Sequence, residues 1–130
     1  MPWLRAGRGF DTLWTNRGAV IQHQEADRYE NTAVAQSSIL ESDDGFVMFY
    51  GGYDTSQTDP GPWRIVSAWS EDGVLWERGG LELDILAQGE EAWSVREPTV
   101  VEWKQSLWLG YISMGDDGVY RTRLARCLVE

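Results

Sequence analysis

The sequence repeats itself once, and that repeat limits what the chain can fold into more than any other feature. Ala6-Gly7-Arg8-Gly9-Phe10-Asp11-Thr12-Leu13-Trp14 aligns without gaps with Ala68-Trp69-Ser70-Glu71-Asp72-Gly73-Val74-Leu75-Trp76. The Ala, Leu and Trp coincide at a shift of 62 residues (Trp14 to Trp76). Ser38-Ile39-Leu40-Glu41 then meets Thr99-Val100-Val101-Glu102, and Phe46-Val47-Met48-Phe49-Tyr50 meets Leu107-Trp108-Leu109-Gly110-Tyr111, a shift of 61 (Tyr50 to Tyr111). Arg64-Ile65-Val66-Ser67-Ala68 answers Arg121-Thr122-Arg123-Leu124-Ala125 after a shorter loop. Each copy must therefore build the same supersecondary unit and bury its apolar face against a neighbour. The 130 residues form a single domain of two repeats, at about 6–67 and 68–130.

Each repeat reads as strands. Residues 37–41 and 99–103 are rich in β-branched side chains and flanked by turn residues. Asp43-Asp44-Gly45 predicts a tight hairpin after the first, and Lys104-Gln105-Ser106 holds the same place with a weaker turn signal. Residues 46–50 and 107–112 are apolar runs suited to strands covered on both faces. Third strands are expected at 63–69 and 119–127, and fourth strands at 18–22 and 80–85. Residues 82–93 carry no clear pattern and leave room for a helical turn.

Four strands in about 60 residues is the size of a β-propeller blade. The predicted fold is all-β: two four-stranded antiparallel propeller-type blades. Residues 3–6 resemble the end of a third strand, and residues 127–130 the approach to a further outer strand, so the register is permuted and one unit's N-terminus completes another's sheet. Propellers close with typically four to eight blades, and two leave broad apolar faces uncovered. The expectation is a homo-oligomer that closes the ring, a trimer of six blades first and a dimer second; an isolated two-sheet sandwich is the alternative.

Composition narrows the function classes. A net charge of −10 opposes long-range attraction to nucleic acid or anionic membranes. One histidine, His23, argues against a multi-His zinc site or a His-based triad within one subunit. The lone Cys127 cannot form an intrachain disulfide, and its setting at a strand end predicts a buried structural thiol. Asp116-Asp117-Gly118 reads as a turn, and Gly7-Arg8-Gly9 lacks the glycines of a phosphate loop. No metal or cofactor is predicted. No apolar run reaches the ~20 residues of a membrane span, and residues 1–6 lack the apolar core of a signal peptide, so a cytoplasmic location is the expectation. The eight tryptophans suit both inter-sheet packing and stacking on sugars.

At Arg96-Glu97-Pro98-Thr99-Val100-Val101-Glu102, followed by Leu107-Trp108-Leu109-Gly110-Tyr111, the chain resembles the five-bladed β-propeller glycosidases: invertases, levansucrases, arabinanases and β-xylosidases. Ser70-Glu71-Asp72-Gly73-Val74-Leu75-Trp76 likewise resembles their Ser-x-Asp-Gly-x-x-Trp connection between third and fourth strands. The resemblance implies that Glu97, in the acidic position of an Arg-Asp-Pro motif, stabilises an oxocarbenium-like transition state at the channel mouth. It implies that Arg96 flanks Glu97 and that Asp72 caps turn amides. The family's nucleophile motif is absent, its general-acid Glu is not identifiable, and the first repeat carries Gln36 where the second has Glu97. Glycoside hydrolysis needs two carboxyl groups, ~5–5.5 Å apart for retention or ~6.5–9.5 Å for inversion.

Glu97 is therefore the candidate catalytic residue, the alternative being a structural acid paired with Arg96 or capping backbone amides beside Pro98, and Arg96, Asp54, Glu30 and Glu91 are candidate substrate-binding residues. The long polar loop at 54–62 reads first as a flexible connection, with a binding role as the alternative. Two functions follow: a carbohydrate-binding or assembly module with an incomplete catalytic set, or a glycoside hydrolase acting on a neutral sugar through Glu97 in an oligomeric site.

Overall fold

A computed structural model of the chain describes residues 16–24, 28–55, 63–86 and 88–127. The expectations for residues 3–6, for the Ala6-to-Trp14 segment up to residue 15, for most of the 54–62 loop and for residues 128–130 lie outside them. Among the described residues, seven strands form two antiparallel sheets and there is no helix. The first sheet holds β1 (Ala33–Ser42), β2 (Gly45–Tyr53), β3 (Trp63–Ser70) and β4 (Glu77–Leu83) in that order. The second holds β5 (Ser94–Trp103), β6 (Ser106–Met114) and β7 (Tyr120–Cys127). This is the all-β, blade-like meander expected.

Alternating side chains give each sheet two faces. Ile65 of the first sheet packs with Val95 and Tyr111 of the second, and Phe49, Leu83, Leu109 and Ala125 close around them. The opposite face of the first sheet buries Met48, Tyr50, Val66 and Ala68 beneath Ile21, Tyr29 and Trp76. The two cores are repeats of one another: Val34, Met48, Tyr50 and Ala68 stand where Val95, Leu109, Tyr111 and Ala125 stand in the second copy. Ile21 takes the place on the first core that Leu83 takes on the second, 62 residues later.

Four details differ from expectation. Residues 18–22 are not a strand, although they lie where the fourth-strand copy belongs. A strand needs a pairing neighbour, and the third strand beside which this segment would lie is not among the described residues of its own sheet. The second sheet has three strands instead of four, because among the described residues nothing pairs with the outer edge of β7. Cys127 is exposed instead of buried, for the same reason: it ends that uncovered edge strand. The described residues of the segment 84–93 hold turns and bends and no helical turn.

Both hairpins form at the predicted places, by different means. Lys104 and Gln105 have φ of 48° and 62°, the left-handed pair of a two-residue turn whose twist matches the strands it joins. In the first sheet Ser42 pairs with Gly45, and Gly45 supplies a φ of 143°. Downstream of β3, Ser70-Glu71-Asp72-Gly73 forms a closed turn. Asp72 Oδ1 accepts the N–H groups of Val74 and Leu75 at 2.9 and 3.0 Å, and Trp76 Nε1 donates to the Gly73 carbonyl at 3.0 Å. Those backbone donors hold the Asp72 carboxyl below its ordinary pKa, the turn-capping role implied for it.

Candidate functional site

Two residues of the chain share an unusual backbone at matched positions. Gln36 in β1 and Glu97 in β5 both have φ of 56°, in the left-handed region that non-glycine residues seldom enter. Each sits in a β-bulge, where pairing skips from Ala35 to Ser38 and from Arg96 to Thr99. The skipped residues oppose Tyr50 in one sheet and Tyr111 in the other. A bulge leaves one residue out of the ladder and re-aims its side chain. Here both re-aimed side chains arrive at one point, where Gln36 Nε2 donates to Glu97 Oε1 at 3.0 Å. The two first strands of the sheets are thereby linked through polar groups 61 positions apart.

The bulges rest on a repeated buttress. The Tyr50 hydroxyl donates to Glu30 Oε1 at 2.5 Å, and the Tyr111 hydroxyl donates to Glu91 Oε1. Each acid lies 20 residues before its tyrosine. Gly52 lets the first acid in: a Cβ there would stand 2.4 Å from the Tyr29 carbonyl oxygen and 3.1 Å from Glu30 Cγ. Arg78 pairs with Glu30 and also donates to the Gln22 carbonyl. Arg123 lies 3.8 Å from Glu91 and pairs with Glu90. Burial, reinforced by the neighbouring carboxylate, pushes both tyrosine hydroxyls well above their ordinary pKa.

A cleft of about 450 Å³ opens at the bulges, with Gln36, Ser37, Glu97, Thr99 and Thr122 among its walls. Glu97 is the only carboxylate among the described residues lining it. Of the other candidates, Arg96 stands 4.0 Å from Glu97 and stacks over the Tyr120 ring, 5.3 Å from its centroid. Glu30 and Glu91 lie behind the strands, beneath Tyr50 and Tyr111. Asp54 is fully buried just past the end of β2. The structure thus brings Glu97, Arg96 and Gln36 together and sets the other three apart from the cleft. Among the described residues, no cluster of three or more metal-ligating side chains occurs. No helix among them is long and apolar enough to cross a membrane.

In the sequence Gln36 is only the residue that the first repeat carries in place of Glu97. Its contact with Glu97 depends on two left-handed residues, which nothing in local composition announces. The Glu–Tyr pairs were more accessible, since both members recur at the shift of 61.

Solved structures place this architecture. One, from the family 130 mannoside phosphorylases, described as containing glycoside hydrolases that target β-1,2 mannosidic linkages in Candida mannan, superimposes with a TM-score of 0.69 at 18% identity, over 83% of this chain and 35% of that one. Zg3597, a family 117 glycoside hydrolase from the marine bacterium Zobellia galactanivorans, gives 0.65 at 16%, over 82% and 38%. An α-L-arabinanase from Cellvibrio cellulosa, complexed with arabinohexaose, gives 0.56 at 12%, over 73% and 34%. The fold is that of the propeller-type glycoside hydrolases. The chain spans about a third of the length of these structures. No protein-family model and no curated protein matches the sequence.

Proposed function

We propose that this chain is a carbohydrate-binding module on a glycosidase-type propeller scaffold, with its site at the paired bulges. The observation that carries this reading is the Gln36–Glu97 contact: an amide and a carboxylate, held in matched left-handed bulges, meet at 3.0 Å beside an open cleft. Left-handed non-glycine residues cost on the order of 1–3 kcal/mol each, and such strain clusters at ligand-binding positions. An amide and a carboxylate side by side offer donors and acceptors suited to sugar hydroxyls, and the Ser37 hydroxyl extends the set. A net charge of −10 favours neutral sugars over anionic ones.

Binding without turnover is the form we favour, because Glu97 is the one carboxylate among the described residues lining the cleft and hydrolysis needs two. Calorimetric titration with a panel of neutral oligosaccharides, mannosides and arabinosides included, tests the reading. Saturable binding is expected, weakened at least tenfold by Gln36→Ala and by Glu97→Ala, with no release of shorter products. Binding unaffected by either substitution would overturn it. The second reading, hydrolysis with Glu97 stabilising charge in an oligomeric site, draws on the same carboxylate. It requires product release that Glu97→Gln abolishes.

A further inference from the structure

The molecule has two incomplete surfaces that are complementary by its own internal repeat. β7 has a free outer edge among the described residues, and behind it the second sheet turns an apolar face outward. Trp103, Val101 and Leu124 on that face are 56, 51 and 65% exposed. At the far side of the first sheet, residues 16–24 run unpaired where a fourth strand belongs. Their correspondence with β4 is detailed. Gly18 and Gly80 stand 62 residues apart, and both take left-handed backbone, at φ of 83° and 112°. Ile21 and Leu83, also 62 apart, fill equivalent places on the two cores. Within its own chain this segment cannot reach β7. Ile21 holds it against Met48, Tyr50, Val66 and Ala68, and Arg78 and the Glu30 carbonyl anchor its backbone on the side of the first sheet turned away from the second.

We infer that a second copy of the chain completes the β5–β7 sheet, lending its residues 16–22 as the missing fourth strand alongside β7. The occupant and its register follow from the intact sheet. There Ile65 faces Leu83, Val66 faces Leu81 and Ser67 faces Gly80. Carried through the repeat, Thr122 of one copy faces Ile21 of the next, Arg123 faces Ala19, and Leu124 faces Gly18. The donated strand arrives with its own first sheet, whose β1 settles on the exposed face. The contact between the two sheets of one chain gives the template: Ser38 Oγ accepts the Val100 N–H at 3.0 Å. Thr99 corresponds to Ser38 and Ile39 to Val100, so the Thr99 hydroxyl accepts the Ile39 N–H of the next copy. Ile39 and Thr99 are both exposed, as this contact requires. The contact is head-to-tail, which generates a ring if the rotation closes. Three copies give six blades and two give four, both within the usual propeller range. Gln36 and Glu97 belong to the first strands of their sheets, so ring formation repeats the pair around a common axis.

Sedimentation of the 130-residue chain at tens of micromolar tests the association, and a disulfide pair tests the register. In a Cys127→Ser background, Ile21→Cys and Thr122→Cys chains are mixed and oxidised, with Glu77→Cys replacing Ile21→Cys as the control. The expected results are a discrete oligomer and a crosslinked heterodimer at least tenfold more abundant for the 21–122 pair than for the control. Amide exchange on the unmodified chain adds a measurement free of mutations: β7 amides should be protected as slowly exchanging hydrogen-bonded strand, in step with β6. A monomer overturns the inference. So does an oligomer whose 21–122 pair crosslinks no better than the control, or whose β7 outer amides exchange freely. Sugar binding by a monomer would leave the proposed function standing while removing this interface.

Discussion

Glu30 is a carboxylate with 2% of its side chain exposed, and a charge so deeply placed persists only when paired and hydrogen-bonded. Arg78 supplies the countercharge and Tyr50 the hydrogen bond, so the strand opposite the first bulge is fixed by a charged triad. Tyr50→Phe removes a hydrogen bond to a charged acceptor and leaves its volume filled, which should destabilise the fold by about 1.5–3 kcal/mol in chemical denaturation. Tyr111→Phe should cost less, because Glu91 keeps 18% exposure and water can replace the hydroxyl. The same tyrosines set an alkaline limit. Both hydroxyls hold their protons in the fold above the ordinary value of 10.0. Above that pH the unfolded chain loses those protons and the folded chain does not. The stabilisation is complete below about pH 10 and falls as pH rises toward the folded values. Ultraviolet titration should show two of the five tyrosines ionising only together with unfolding. At the acid end, Arg121 and the Val119 N–H hold Asp117 down to about 2. This exposed pair contributes above the ordinary carboxylate range and fades as pH falls toward 2.

At the level of elements, the turn joining β5 and β6 places Lys104 and Gln105 in left-handed backbone, where Asn and Gly are the favoured residues. Replacing Lys104-Gln105 by Asn-Gly should raise stability by about 1 kcal/mol, the relieved strain exceeding the loss of the Lys104 contact over the Trp103 ring, 4.4 Å from its centroid. An unchanged denaturation midpoint would refute this. That turn also shows what a sequence can and cannot disclose. Its position was legible because β-branched residues precede it and an apolar run follows, although its chemistry is not that of a tight turn. The strand order was legible for the same reason, through the recurrence of residues 46–50 at 107–111. The bulges were not, because a register slip at Gln36 or Glu97 is a property of pairing and no side chain there demands it. Residues 18–22 correspond to β4 by the repeat and yet are not a strand: the pattern identified the segment but carried no information on its pairing.

For the molecule as a whole, stability and association should be linked. Among the described residues the fold leaves Trp103, Val101 and Leu124 exposed beside the unpaired outer edge of β7, and covering them removes apolar surface at the rate that drives most association. If copies bind head-to-tail, the oligomer is favoured by mass action and its melting temperature rises with concentration. A tenfold increase should raise Tm by roughly 2–5 °C for a chain of this size. Leu124→Glu puts a charge at the centre of the proposed contact, where the repeat sets Gly18 of the next copy opposite. It should abolish the concentration dependence while leaving the β-sheet circular dichroism at low concentration unchanged, since Leu124 is already 65% exposed within one chain. A wild-type Tm that stays flat across a hundredfold range of concentration would show that this face meets no second copy. The proposed sugar site would then have to work from the two bulges of a single chain.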